Sequence, residues 1–213
     1  MTGPADPPAA SCIAFAASGR ALPGEVETGD RAVHVELVGG AVVAVIDGLG
    51  HGPEAALASA LAVEVIEGHA GENVDALAVD EVVAAAHERL ARTRGVAMTI
   101  AAIRCDGTMR WLGVGNVEAH VLRADGLRAR RDASAVLYGG VVGYRLPRLR
   151  VSTVQLVPGS LVVMATDGIQ VDFTDHVMLA DPPERVVARA LERSARANDD
   201  ALVAAVRYLG PAT

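Results

Sequence analysis

Apolar positions along the chain fall into short blocks divided by glycine, and the blocks change period partway through. Residues 32–38 and 41–46 read as two strands joined by the Gly39-Gly40 turn, a hairpin. The stretch Asp47-Gly48-Leu49-Gly50-His51-Gly52 is too rich in glycine for helix or strand, and Pro53 suits a first helical position. From residue 54 to about 68 the period predicts a helix with Leu57, Leu61, Val65 and Ile66 on its apolar face. A second helix is predicted over residues 74–94, with Leu77, Val82, Ala86 and Leu90 as its stripe. Strands follow at 96–104, 109–114 and 117–123, with turns at Asp106-Gly107, Gly115-Asn116 and Asp125-Gly126. Residues 151–157 and 161–166 read as strands around the Pro158-Gly159 turn, 183–197 as a helix and 202–208 as a last strand.

Strands, two helices, many strands, a helix and a strand are not the alternation of a doubly wound sheet. The order predicts an α+β fold: a four-layer αββα sandwich of two mainly antiparallel sheets flanked by helices. Unbroken apolar runs such as residues 42–46 and 161–164 fit strands covered on both faces. A length of 213 residues suits one domain, expected over residues 11–213 behind a flexible, Pro- and Ala-rich start at 1–10 that has no signal-peptide pattern.

Composition narrows the function. All 19 basic residues are Arg, so the chain has no lysine for a P-loop or a Schiff base. The net charge is −7, aromatics are 3 %, and the densest basic cluster (Arg123, Arg128, Arg130, Arg131) lies in one turn region. That excludes the basic, aromatic-lined surface of a nucleic-acid binder. No apolar run has membrane-spanning length. Cys12 and Cys105 are too few for a disulfide framework and too far apart for a metal knuckle, so two buried small hydrophobes in a reducing cytoplasm are expected.

The informative residues are acids at the ends of apolar runs. Asp47 closes the run at 42–46, Asp167 follows the run at 161–166, and Asp199 and Asp200 precede the run at 201–203. A carboxylate at the rim of an apolar core costs desolvation unless a cation or hydrogen-bond donors offset it. With no Lys anywhere and no Arg adjacent to these acids, a hard divalent cation is the natural partner. Asp-Gly is also a common hairpin turn, and Asp106-Gly107 and Asp125-Gly126 are read as that. Asp47 instead leads into a glycine-rich loop and a helix, and Asp167 into Ile169-Gln170-Val171, which is no obvious paired strand.

At these residues the chain resembles the PPM-type metal-dependent serine/threonine phosphatases, in their bacterial SpoIIE/RsbX branch. The resemblance runs in order through Thr28-Gly29-Asp30, Ala44-Val45-Ile46-Asp47-Gly48-Leu49-Gly50-His51-Gly52, Arg94-Gly95-Val96-Ala97-Met98-Thr99, Gly113-Val114-Gly115-Asn116-Val117, Ala165-Thr166-Asp167-Gly168 and Asp199-Asp200-Ala201-Leu202-Val203. It implies the αββα sandwich and two divalent cations, Mn²⁺ or Mg²⁺. Asp47 would bridge them, the Gly48 carbonyl would bind one, and Asp167 and Asp199 would hold the other. Asp200 is a second choice of ligand and more a support, and Asp30 matches an early acidic position near the site. Hydrolysis would then use a cation-activated water, with no covalent phosphoenzyme. In eukaryotic relatives a histidine follows the Asp-Gly pair directly. Here Leu49 stands there and His51 lies two residues on, so an acid role for His51 competes with loop packing. Asn116 replaces the acid that many relatives carry, and their phosphate-binding arginine has no obvious counterpart.

The implied substrate is a phosphoserine or phosphothreonine on a regulatory partner of a bacterial stress or sigma-factor pathway, an RsbR- or RsbS-like anti-sigma-antagonist domain being the type case. Residues 133–149, rich in Gly and Arg, read as a loop or flap suited to a protein substrate. Two rivals remain: a phosphatase-fold binding module with a weak metal site, and a hydrolase of small phosphoesters.

Overall fold

The computed structural model describes residues 11–125 and 128–211. The expected flexible start at residues 1–10 and the Gly126 half of the Asp125-Gly126 turn lie outside the described residues. One sheet has the order β1 (Ile13–Arg20), β11 (Ala201–Tyr208), β10 (Leu161–Ala165), β6 (Glu118–Asp125), β7 (Arg128–Ser134). The other runs β2 (Asp30–Leu37), β3 (Gly40–Gly48), β4 (Val96–Arg104), β5 (Thr108–Val114), β8 (Leu137–Tyr138), with β9 (Ser152–Gln155) also on β5. Among these ladders only β5–β8 is parallel. Helices α1 (Pro53–His69) and α2 (Val79–Arg89) cover the second sheet, and α3 (Pro183–Ser194) covers the first.

Side chains on a strand alternate between faces, so the apolar run of β3 serves two layers at once. Val42, Ala44 and Ile46 face the helices, with Ala58, Ala62, Ile66, Val82 and Ala86. Ala41, Val43 and Val45 face the other sheet, where Val162, Met164, Ala204 and Val206 meet them, with Trp111 of their own sheet in the same cluster. A third layer packs Val163, Val203 and Ala205 against Val186, Val187 and Ala190 of α3. The four-layer sandwich expected from the element order is the observed one.

Several local expectations change. The helix over residues 74–94 is broken: Val74–Ala76 forms a 3₁₀ turn, and α2 starts only at Val79. Competing donors take the backbone there, since the Arg110 guanidinium donates to the Val74 and Leu77 carbonyls (3.2 and 2.8 Å). The N–H of Val74 donates to the Val38 carbonyl (3.2 Å). On α1 the buried stripe is Ala55, Ala56, Ala58, Ser59, Ala62, Val65 and Ile66, while Leu57 is exposed. Small residues let the first turn of α1 press on β3, where a Cβ at Gly48 would strike the Ala55 backbone.

β1 and β7 were not read as strands from the sequence. β7, Arg-Ala-Arg-Arg-Asp-Ala-Ser, is a charged edge strand, so the Arg cluster placed in a turn spans the paired strands β6 and β7. Residues 133–149 are mostly loop, as expected, but the loop is tied down. They contain β8, and Val142 is buried under α2 and pairs with Val96.

The cysteines are not separate hydrophobes: Cys12 and Cys105 form a disulfide between the start of β1 and the end of β4. Their 93-residue separation hides the contact. Strand order produces it, because both positions fall at the end of the sandwich where Tyr208 donates its hydroxyl to the Cys105 carbonyl (2.7 Å).

A candidate acidic site where the two sheets meet

The opposite end of the sandwich gathers the acids. Asp30 opens β2 and Asp47 stands near the end of β3, directly across the ladder from it. From the other sheet, Asp167 follows β10, while Asp199 and Asp200 lead into its neighbour β11. The Gly115-Asn116 turn, where Gly115 adopts φ 92°, carries the chain from one sheet to the other at this same end. A Cβ at Gly168 would overlap the Asp200 carbonyl, so only glycine lets the Asp167 turn lie against Asp200.

Hydrogen bonds orient these acids. The Thr166 hydroxyl donates to Asp30 Oδ2 (2.7 Å) and accepts from the Leu202 N–H (3.0 Å), which links the sheets. The Asn116 amide donates to Asp167 Oδ2 (2.6 Å). Asp199 Oδ1 accepts from the Asp200 N–H (3.0 Å). Both Asp200 oxygens are taken by backbone: Leu22 N–H donates to Oδ1 (2.6 Å) and Gly29 N–H to Oδ2 (2.7 Å). Asp200 thereby pins the β1–β2 loop, and Gly48 adds an N–H to the Gly29 carbonyl (3.1 Å).

The electrostatics are those of crowded like charges in a half-buried place. Burial, then the charges of Asp30, Asp167, Asp199 and Asp200, pushes Asp47 up to about 8. Burial also pushes Asp30 up to about 7, against the opposing Thr166 hydrogen bond and with the help of Asp200, Asp167 and Asp199. Asp199 is raised by burial and by Asp167, with its Asp200 N–H contact and the Arg196 charge opposing. An all-oxygen donor set under mutual repulsion suits a hard divalent cation. Among the described residues no three His, Cys, Asp or Glu side chains stand as a ready-made cage. Mutual repulsion and the hydrogen bonds named above keep the acids apart, so a cation would draw them inward.

The structure thus brings together Asp30, Asp47, Asp167, Asp199 and Asp200. His51 is exposed just before α1, and its Nδ1 meets Glu25 Oε1 at 2.8 Å. Sequence reasoning missed Thr166 and the donor role of Asn116. Both lay inside the quoted segments, but their partners are 136 and 51 residues away. It also passed over Arg196, three residues before Asp199. Arg196 lines a cavity of about 320 Å³ with Asn116, Thr166, Asp167, Ile169 and Phe173.

The chain matches the family described as Stage II sporulation protein E (SpoIIE) over residues 38–209. No curated protein sequence matches it. Among solved structures it is similar to a chain from work on the bacterial stressosome, a modular system adapted to control secondary messenger signalling, at 28 % identity and TM-score 0.78, covering 92 % of this chain and 99 % of that one. It is also similar to RsbX in complex with magnesium (20 %, TM-score 0.77, covering 92 % and 94 %). A third likeness is to the PP2C phosphatase domain, with a fragment of the regulatory domain, of SpoIIE from Bacillus subtilis (21 %, TM-score 0.72, covering 92 % and 62 %). The chain belongs to the SpoIIE family and has a PP2C-like serine/threonine phosphatase fold of the SpoIIE/RsbX type.

Proposed function

We propose that residues 11–213 act as one domain, a metal-dependent phosphatase that hydrolyses phosphoserine or phosphothreonine on a regulatory protein. The observation that carries this is the convergence of Asp47, Asp167 and Asp199, with the Gly48 turn, at one end of the sandwich, under charge repulsion that a divalent cation would relieve. Asp47, the Gly48 carbonyl, Asp167 and Asp199 would hold two Mn²⁺ or Mg²⁺ ions. Bound there, such cations supply an acidified water and positive charge for a phosphoryl group.

The other residues set the stage. Asn116 turns Asp167, Thr166 turns Asp30, and Asp200 holds the loop that begins at Leu22. His51 Nδ1 is engaged with Glu25, a contact that competes with an acid role.

The partner is proposed as a phosphorylated RsbR/RsbS-like anti-sigma-antagonist domain. Support comes from the likeness to a stressosome chain and to the RsbU and RsbW domains of Rv1364c from Mycobacterium tuberculosis (20 %, TM-score 0.80, covering 97 % and 64 %). A partner of that kind would place the work in the cytoplasm. Among the described residues no helix is long and apolar enough to cross a membrane.

The test is hydrolysis of an aryl phosphate and of a phosphorylated partner domain, with and without Mn²⁺. Asp47→Asn should cost at least about a hundredfold in rate, a loss of several kcal/mol in barrier lowering. Activity indifferent to both metal and substitution would overturn the mechanism. No activity under either cation would leave a binding module, and equal use of free phosphoserine would leave a small-phosphoester hydrolase.

A further inference from the structure

A phosphate dianion approaching Asp30, Asp47, Asp167 and Asp199 meets charge of its own sign. Cations offset part of it, but they leave open what holds the phosphoryl oxygens that point away from them. Arg196 is placed for this. Arg196 lines the cavity that Asn116 and Asp167 also line, and its charge is felt at Asp199. Its backbone is clamped on both sides: the Arg196 N–H donates to the Gly168 carbonyl (2.7 Å), and its own carbonyl accepts from the Arg20 guanidinium (2.7 Å). The neighbouring Ala195 pairs with Ile169, so the stretch is stitched to the Asp167 turn itself.

Among the described residues the Arg196 guanidinium makes no ion pair, although it is exposed beside acids. Arg94, whose guanidinium lies against Gly50, is spent on Glu54 (2.5 Å). A planar guanidinium with free donors on a fixed backbone suits bidentate contact with phosphate. The lining of the same cavity also includes Glu118 and the apolar Ile169, Val171 and Phe173; Ile169 and Phe173 are buried, while Val171 is 65 % exposed.

We propose that this cavity is the substrate-side subsite, in which Arg196 grips the phosphoryl group and the exposed Val171, backed by Ile169 and Phe173, receives an apolar residue next to the phosphorylated one. The inference rests on the phosphatase reading above and deepens it. It names the substrate class as a phosphorylated segment with an apolar neighbour.

Steady-state kinetics with Mn²⁺ tests it, on an aryl phosphate and on two phosphoserine peptides that differ only in a flanking Leu or Ser. Inorganic phosphate serves as competing inhibitor. Arg196→Ala should raise KM for all three substrates about tenfold, with a smaller change in kcat. It should raise the inhibition constant of phosphate by a similar factor and leave the thermal midpoint unmoved. Arg196→Lys should recover part of the loss, because it keeps the charge but not the fork. The parent should favour the Leu peptide, and Val171→Asp should narrow that preference.

An active parent whose KM and phosphate inhibition are the same in Arg196→Ala refutes the role of Arg196 while leaving the phosphatase reading intact. No preference between the peptides refutes the apolar subsite. A parent inactive with either cation refutes the reading on which both rest.

Discussion

A threonine hydroxyl has one proton to give and two lone pairs to offer, and Thr166 uses both kinds of contact between Asp30 and the Leu202 N–H. Thr166→Val keeps the shape but leaves a buried carboxyl without its donor and an N–H without its acceptor. A loss of about 1–3 kcal/mol is expected for such unsatisfied groups, read as a lower urea midpoint, with Thr166→Ser close to the parent. His120 is a second buried polar side chain. Its Nε2 meets Glu118 Oε2 and its Nδ1 the Ser134 hydroxyl, both at 2.9 Å, with the Phe173 ring 5.9 Å away. Burial lowers its affinity for a proton, the Arg131 charge adds to that, and Glu118 opposes. The unfolded chain, with an ordinary value near 6.5, therefore takes up the proton first on acidification. Stability from this group is complete above that pH and is lost as pH falls below it. Urea midpoints measured from neutral to mildly acidic pH should fall less steeply in His120→Gln than in the parent.

Among elements, the loop between β1 and β2 owes its place to one distant carboxylate. Asp200 receives the Leu22 and Gly29 N–H groups while only 4 % exposed, so Asp200→Ala strands two donors. Faster amide exchange at Leu22 and Gly29 is expected, together with a fall in stability of about 1–3 kcal/mol, and Asp200→Asn should fall between the variant and the parent. Legibility at this scale followed local content. The hairpin β2–β3 and strands β4, β5, β6, β10 and β11 have strong apolar runs bounded by glycine turns, and their existence was readable. β7 was not, because Arg128–Ser134 has no apolar run of its own and forms against β6. β1 was missed for a related reason: its Ala-rich stretch becomes a strand by pairing with β11. The 74–94 helix failed where Arg110, a residue of β5, takes two of its carbonyls.

The whole molecule is a sandwich with its cluster of acids at one end and its covalent tie at the other. The Cys12–Cys105 bond joins the edge strand β1 of one sheet to the end of β4 in the other. Closing so long a loop should contribute about 2–4 kcal/mol. Dithiothreitol should then lower the melting temperature by roughly 2–4 °C for each kcal/mol lost. Cys12→Ser should melt at the reduced value with or without the reductant, and kcat should hardly change because the acids lie at the far end. A fall in kcat on reduction equal to the fall in folded fraction would be explained by unfolding, whereas a larger one would mean that the two ends communicate.

What the amino-acid order determined alone was most of the run of elements, the four-layer class and which acids stand at the ends of apolar runs, because strand periodicity, glycine turns and a carboxylate at the end of an apolar run are local signals. Strand order decided the rest. It set Asp30 across from Asp47, brought Asn116 to Asp167 and Thr166 to Asp30, and turned two remote cysteines into a bond. It also stitched Arg196 beside the Asp167 turn. These are contacts between residues far apart in the chain, and no local pattern encodes which distant strand will lie alongside.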